Sequence, residues 1–523
     1  MTSVQTEKPD RQTLARLLSE FIDPEYVIAD EETQKPYECD GLSMYCEMPL
    51  IVVLPETLEQ VQQVMRLCHQ YQIPVVARGA GTGLCAGAMP HKEGVVLSLA
   101  KFNRILAIDP LARTARLQPG VRNLAISEAA AEHGLYYGPD PSSQIACTIG
   151  GNIAENSGGV HCLKYGLTVH NALSVQLVTV EGELVTLGSE GLDTAGLDLM
   201  ALINGSEGLL GVVTEITVRL LPIPEKAQVV MAGFPTVQAA GDAVGAVIAQ
   251  GIIPAGLEMM DTHAIQAAEA FAKAGYPLDA EALLLCELDG TVEEVDQYIQ
   301  RVEQVFLQQG ASSIKVSQNE QERAALWKGR KSAFPAVGRI SPDYYCMDGT
   351  IPRSQLAYVL TEMQKMSQEY DLRVANVFHA GDGNLHPLIL FDANVPGEFE
   401  KTEEFGGRIL ELCVEVGGCI TGEHGVGMEK IRQMTTQFSE QEIAQFHQVK
   451  QAFDPLDTLN PGKGIPVLKH CQEYRSLPPN EHSVTPLDHS LPNTEVANRE
   501  VANEEITNGE MINKEIAKEE IKQ

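Results

Sequence analysis

Cys147-Thr148-Ile149-Gly150-Gly151-Asn152-Ile153-Ala154-Glu155-Asn156-Ser157-Gly158-Gly159 is the stretch on which the fold turns. So much glycine and asparagine inside a folded domain is costly in chain entropy, and is expected where backbone must approach a large flat ligand closely. The segment reads as a loop system, entered through Gly138-Pro139-Asp140-Pro141. Upstream, a short buried strand at 75–77 delivers the chain into a second glycine-rich loop, Arg78-Gly79-Ala80-Gly81-Thr82-Gly83. There successive glycines let backbone N–H groups converge on an anion, and Arg78 adds positive charge. Alone, that loop serves equally as a tight turn or as a pyrophosphate cradle. Gly81, Gly83 and Ala86 also match G-x-G-x-x-G/A, but a Rossmann site needs a following helix and an acidic residue about twenty positions on. The loop runs instead into Met89-Pro90-His91-Lys92, and the later window offers Lys101, which disfavours NAD in a Rossmann domain.

The flanking text is densely α/β. Thr57 caps a helix with Gln60 at the reciprocal position, Val61, Val64, Met65 and Cys68 recur at helical spacing, and Pro74 ends it. Strands are expected at 94–100 and 114–117, a helix near 124–133, and a hairpin over 174–187 turning at Glu181-Gly182-Glu183. A last strand at 212–220 alternates Ile216, Val218 and Leu220 before Pro222 and Pro224 close the unit. Beyond 225, longer helical stretches alternate with apolar strands such as Leu283-Leu284-Leu285, which predicts a second α+β domain to about 430. Residues 431–468 read as helical segments ending in Asn460-Pro461-Gly462-Lys463, and residues 1–46 as a polar lead with one helix. From Glu495 a glutamate followed by Val, Ile or Met returns every five residues, a period that turns each apolar residue away from the last by about 140° on a helix. No stripe forms, so 469–523 is read as a disordered or weakly helical acidic tail.

A chain of 523 residues exceeds what one core usually supports, and a net charge of −33 excludes nucleic acid and anionic membrane as partners while leaving room for a basic protein. The eleven cysteines contain no C-x-x-C, so neither a zinc ribbon nor an iron–sulfur motif is present; buried thiols in a reducing compartment are the reading. The N-terminus has no apolar signal region, and the most apolar long stretch, 229–260, is interrupted by Pro235, Gln238, Asp242, Gln250 and Pro254. The expected location is the cytoplasm, without a transmembrane segment.

His379-Ala380-Gly381-Asp382-Gly383-Asn384-Leu385-His386 follows an apolar strand at 374–378, and Gly422-Glu423-His424-Gly425-Val426-Gly427 lies downstream. A lone histidine is most often a satisfied structural residue. Imidazoles and a carboxylate set in glycine-rich turns at strand ends instead form an N/N/O site for zinc or another divalent ion, with positions open for substrate.

Taken together, the 78–83 loop, the 148–159 segment and Gly205-Ser206-Glu207-Gly208-Leu209-Leu210-Gly211-Val212-Val213-Thr214 resemble the FAD-binding domain of the vanillyl-alcohol oxidase family. The resemblance implies an α+β architecture: a PCMH-type FAD-binding domain of two subdomains at 47–224, an α+β substrate (cap) domain at 225–430, and a C-terminal helical segment at 431–468 that returns to the flavin. It implies FAD with its pyrophosphate at Arg78, Gly79, Ala80, Gly81, Thr82 and Gly83, and its ring near Pro139 and the 148–154 segment with Thr148, Gly151, Asn152 and Ala154. Asp140, Cys147, Gly158, Gly211, Val212, Val213 and Asn460 would complete the cofactor site. Members that tether the flavin do so through a histidine in the first loop; none stands here, so FAD is expected to be non-covalent.

The second half resembles the D-2-hydroxy-acid dehydrogenases of that family. The matching residues would be metal ligands (His379, His386, Glu423, for zinc or manganese) and a catalytic base (His424). Trp327-Lys328-Gly329-Arg330 resembles the segment whose arginine binds the substrate carboxylate. Relatives that take dicarboxylates carry a basic residue before the Asp-x-x-x-Pro stretch. Here it reads Tyr345-Cys346-Met347-Asp348-Gly349-Thr350-Ile351-Pro352, which favours a small monocarboxylate over 2-hydroxyglutarate. The text Arg339-Ile340-Ser341-Pro342-Asp343-Tyr344-Tyr345-Cys346 and onward resembles the glycolate-oxidising members, over most of 15–468. The implied activity is hydride transfer from a small 2-hydroxy acid to flavin. The electrons would pass to a partner, a second flavin-type subunit and an iron–sulfur subunit, or to a quinone, and peripheral membrane association would run through the partner subunits. D-lactate dehydrogenase of the same fold is the alternative, and a non-catalytic flavoprotein scaffold conflicts with the intact His/Glu set.

Overall fold

The computed structural model describes residues 8–191 and 196–467; the pentad tail read at 469–523 lies outside the described residues. Thr57 starts the first long helix, Leu58–Tyr71. Its hydroxyl accepts from Gln60 N, and the Gln60 side chain accepts from Thr57 N, a closed capping box. Val61, Val64, Met65 and Cys68 share the buried face, and Gln72 at φ 53 ends the helix in the left-handed region. That helix crosses between Ile51–Val53 and Val75–Arg78, which run parallel on either side of Val95–Ser98. Val27–Ile28 adds an antiparallel edge strand. The N-terminal residues are therefore more than a polar lead: Leu14, Leu18 and Ile22, four apart on a helical turn and so hard to see among charged neighbours, are buried in this sheet's core.

A second, wholly antiparallel sheet runs Ile105–Asp109, Thr114–Leu117, Val212–Arg219, Ala172–Val178, Leu184–Gly188. The predicted hairpin and the predicted strand before Pro222 are both in it. Ile105–Asp109 was not expected, because its side chains are only half-buried or exposed and carry no clean apolar alternation. The 147–159 segment corrects the reading of a loop. Ile149–Glu155 is an α-helix closed by Asn156 at φ 53, despite two glycines in its first turn. Packing overrides propensity: Ile149 and Ile153 are fully buried, and the N–H groups of Ile149 and Gly150 donate to Val121 O and Pro119 O.

After the short pairing of Leu221–Pro222 with Leu135–Tyr136, the chain builds a large antiparallel sheet. Its order is Ser313–Val316, Lys226–Phe234, Ala282–Gly290, Gly256–Asp261, Arg373–His379, Asn384–Phe391, Asp343–Cys346, with Gly349–Thr350 also on Asn384–Phe391. Helices cover both faces. Val230, Ala232 and Phe234 enter one core while Val229 and Met231 enter the other, and Leu284 and Leu283 divide in the same way. That is why these strands read as unbroken apolar runs rather than alternating ones. After the helix Glu440–Phe453 the backbone returns to the first sheet, where Leu459 bridges Val75 in parallel.

Candidate active site

Arg373–His379 and Asn384–Phe391 form a tight antiparallel pair in which His386 lies opposite Val377. Residues 377 and 379 share a face, so the register brings the His379 and His386 rings together edge to face, 5.0 Å apart. Glu423 arrives from the loop after the last cap helix, with Oε1 3.0 Å from His386 Nε2 and 3.4 Å from His379 Nε2. Ligand edges of roughly 3.3 Å are what a tetrahedral ion with bonds near 2.0–2.1 Å requires. Glu423 Oε2 and His386 Nδ1 are buried without a hydrogen-bond partner, the nearest carboxylate to the latter being Asp348 at 4.0 Å. The donor set and its orphaned atoms fit a divalent cation. Burial opposes ionisation of Glu423, but His379 and His386 hold its carboxyl well below the usual range. His424 stacks on His386 with ring centroids 5.2 Å apart, and burial pushes its imidazole down to about 4 despite the attraction of Asp348. It is a neutral base at physiological pH.

A cavity of about 510 Å³, within the range of cofactor pockets, opens between the two smaller sheets and the imidazoles. The 78–83 loop, Cys147, Thr148, Gly151, Asn152, Ala154, Gly211 and Val213 line one side; His386, Glu423 and His424 line the other. Gly81 turns the loop at φ +68, and a Cβ there would strike the Arg78 guanidinium. A cavity of that size, lined by glycine-rich loops on one side and by imidazoles on the other, fits a flavin dinucleotide.

Several expected residues do not form that wall. Val212 points into the core of the first sheet, and Pro139 accepts from Asn123 Nδ2 through its carbonyl. Asp140 pairs with His161, 3.0 Å from its Nδ1. Gly158 backs onto Glu423, where a Cβ would stand 2.7 Å from Oε2. Asn460 Nδ2 donates to Gly87 O and Glu207 O, bracing the loops from behind. Arg330 is 1% exposed behind His379, with Nη2 2.6 Å from Glu258 Oε2; its neighbour Lys331 reaches the wall, as do Phe334 and Pro335.

Sequence reasoning missed Glu258 and Asp348. Glu258, a charge inside an apolar strand, carried a visible signal. Asp348 carried none, because its role depends on a loop more than seventy residues away. Glu207, seen only as part of a motif, accepts from Val426 N and Gly427 N at 2.6 and 2.7 Å and so fastens the imidazole loop to the flavin half.

Among solved structures, 4-ethylphenol oxidase from Gulosibacter chungangensis superposes with a TM-score of 0.73 at 19% identity, over 88% of this chain and 98% of that one. p-Cresol methylhydroxylase superposes with a TM-score of 0.73 at 18% identity, over 87% and 96%. These likenesses show the fold, PCMH-type. Residues 49–188 match the family model described as FAD binding domain, and 223–464 that of FAD linked oxidases, C-terminal domain. Fold and family models together define the class, an FAD-binding protein of PCMH-type fold. The glycolate oxidase subunit GlcD of Escherichia coli (strain K12) is 60% identical over 468 residues, 90% of this chain and 94% of that protein. GlcD of Bacillus subtilis (strain 168) is 39% identical, over 82% of this chain and 91% of its own. D-lactate dehydrogenase of Anaerostipes hadrus is 32% identical, over 84% and 95%. The chain belongs to the FAD-linked oxidase family that includes the glycolate oxidase subunit GlcD. Among the described residues no helix is long and apolar enough to cross a membrane.

Proposed function

We propose that the protein is an FAD-dependent oxidoreductase that converts a small 2-hydroxy acid, glycolate, to its 2-oxo acid, glyoxylate. One observation carries the reading: His386, Glu423 and His424 wall the same cavity as the glycine-rich loops. The 78–83 and 147–154 segments would hold FAD without a covalent tether, which would supply a hydride acceptor. His379, His386 and Glu423 would hold a divalent cation, zinc or manganese, which would supply Lewis acidity toward the substrate hydroxyl.

The chain's own groups do the rest. His424, neutral and half-buried at the cavity wall, takes the hydroxyl proton on a ring nitrogen. Arg330, paired through Nη2 with Glu258 and with Nε lacking an acceptor among the described residues, supplies the charge for the substrate carboxylate. Phe334 and Pro335 keep water from the wall. Cys346 Sγ lies within 4.8 Å of ligand atoms of both His386 and His424, and burial raises its pKa well above normal, so it offers no charge to a second carboxylate.

The described chain holds no iron–sulfur motif, and its relative is named as a subunit. Electrons are therefore passed to partner subunits, a second flavin-type chain and an iron–sulfur chain, in the cytoplasm or at the membrane face those partners reach. Anaerobic mixing of the FAD-loaded protein with glycolate, D-lactate, L-lactate and 2-hydroxyglutarate, followed by flavin absorbance, tests the proposal. Glycolate should bleach the flavin fastest. Faster bleaching by D-lactate would assign the protein to its alternative substrate, and bleaching by none of the four would remove the dehydrogenase reading.

A further inference from the structure

Glu258 sits inside the apolar strand Gly256–Asp261, flanked by buried Leu257, Met259 and Met260, and its own side chain is 1% exposed. A carboxylate in such surroundings is retained only if paired, because desolvating an unpaired charge costs several kcal/mol. Glu258 is paired on two sides. Its oxygens lie 2.9 and 3.0 Å from His379 Nδ1, and Oε2 lies 2.6 Å from Arg330 Nη2.

Each contact has a directional consequence. With Nδ1 of His379 donating to Glu258, the ring's other nitrogen, Nε2, keeps its lone pair and presents it beside Glu423. The Arg330 guanidinium is held against Glu258 through Nη2, 2.6 Å from Oε2, while Nε has no acceptor among the described residues, so part of the fork remains for another carboxylate. The two groups read above as the cation's ligand and the carboxylate's counter-charge are thus anchored on one buried carboxylate.

We propose that Glu258 is a positioning residue for the 2-hydroxy acid: through a single carboxylate it orients His379 toward the cation and holds Arg330 at a set separation from it. Glu258 touches neither substrate nor cofactor. The inference rests on the roles given to His379 and Arg330 above.

The test uses the FAD-loaded protein carrying Glu258→Gln, which keeps the size and removes the charge. Divalent-metal content and affinity are measured by chelator competition, and KM and kcat for glycolate are taken separately on metal-saturated enzyme. The expected result is a loss of metal affinity of about 10–100-fold, together with a rise in glycolate KM of about tenfold or more, with FAD content unchanged. A merely structural carboxylate would lower the melting temperature and leave metal affinity and KM at the parent values; that result overturns the inference. Glu258→Asp keeps the charge with a shorter reach and should shift both quantities in the same direction by less. If Glu258→Gln does not fold, unaltered metal affinity and KM in Glu258→Asp overturn the inference equally. Arg330→Lys separates this inference from the reading beneath it. If Arg330→Lys leaves KM unchanged, the assignment of Arg330 fails. If it raises KM while both Glu258 variants behave as the parent, Glu258 alone is at fault.

Discussion

Asp348 is sealed from solvent, and four donors converge on its Oδ2: Thr421 Oγ1 at 2.7 Å and the N–H groups of Gly422, Glu423 and His424 at 2.9, 3.1 and 2.9 Å. Successive N–H groups turned toward one anion form a nest, and here the nest fixes the backbone of the two residues that matter most at the site. Burial would raise this carboxyl, but His424, Lys430 and His386 hold it below the usual range. Asp348→Asn keeps the volume while replacing one acceptor with a donor that faces the nest and weakening the pairing of buried Lys430, 4.0 Å away. The expected cost is about 3–5 kcal/mol of folding stability, read from urea unfolding of the FAD-loaded protein; an unmoved midpoint would contradict the role. None of this was legible in Met347-Asp348-Gly349, because the donors lie on a loop the sequence does not pair with it. The Thr57 capping box was legible, because cap and partner are three residues apart.

At the scale of elements, the helix Glu320–Lys331 carries Arg330 and is clasped at its side. Glu287, on Ala282–Gly290, accepts from both terminal contacts of Arg323 Nη1 at 3.0 Å and from the Trp327 indole N–H. His161 bridges that carboxylate to the flavin half: Nε2 is 3.2 Å from Glu287 Oε1, and Nδ1 is 3.0 Å from Asp140 Oδ2. Burial alone would lower the imidazole, but Asp140 and Glu287 lift it from 6.5 to about 10. Burial would raise those two carboxyls, yet His161 draws both below their ordinary values. A raised imidazole stabilises fully below pH 6.5 and loses that contribution as pH climbs through about 10. The depressed carboxylates contribute above their ordinary range near pH 4 and lose it on acidification. The clasp therefore contributes in full between roughly pH 5 and 6.5, and its share falls steadily from there to about pH 10. His161→Gln should melt at a lower temperature than the parent near pH 6, and should lack the parent's further loss between about pH 6.5 and 10. Scanning calorimetry across that range checks it; parallel profiles would exclude the clasp. Only the Trp327–Arg330 text of this element stood out in the sequence. Glu287, 36 residues before Arg323, and His161, 126 residues before Glu287, gave no sign of meeting it.

At the scale of the molecule, the chain leaves the flavin half, builds the cap, and comes back to close what it began. Val75 N donates to Thr458 O and Asn460 N to Val75 O, at 2.7 and 2.8 Å, so the last described segment extends the first sheet. Buried Lys450 gathers Leu209 O, Leu459 O and Asp454 Oδ2, and Lys463 donates to Gly87 O and Met89 O. Asn460 sits at the centre of this closure. Asn460→Ala leaves the Glu207 carbonyl without the amide donor and Gly87 O with Lys463 alone. It should cost about 1–3 kcal/mol and weaken FAD retention, measured by denaturant titration and by the flavin-to-protein absorbance ratio after gel filtration. Full FAD retention at parent stability would dismiss the segment as a bystander.

Whatever depends on near neighbours and on backbone chemistry was written along the chain. Its residue order specified the capping box at Thr57, the hairpin about Glu181-Gly182-Glu183 and the glycine-lined passage at 78–83, and through Pro90 and Lys101 it disfavoured a Rossmann site. Tertiary structure alone decided that Ile149–Glu155 is helical, because burial of Ile149 and Ile153 outweighs the entropy cost of Gly150 and Gly151. It alone decided which charge faces which: Glu258 meets His379 across 121 residues, Asp348 meets His424 across 76, and Glu207 meets Gly427 across 220. The physical reason is common to all three. A buried charge is tolerable only beside its partner, and nothing local to either residue encodes where the fold will bring that partner.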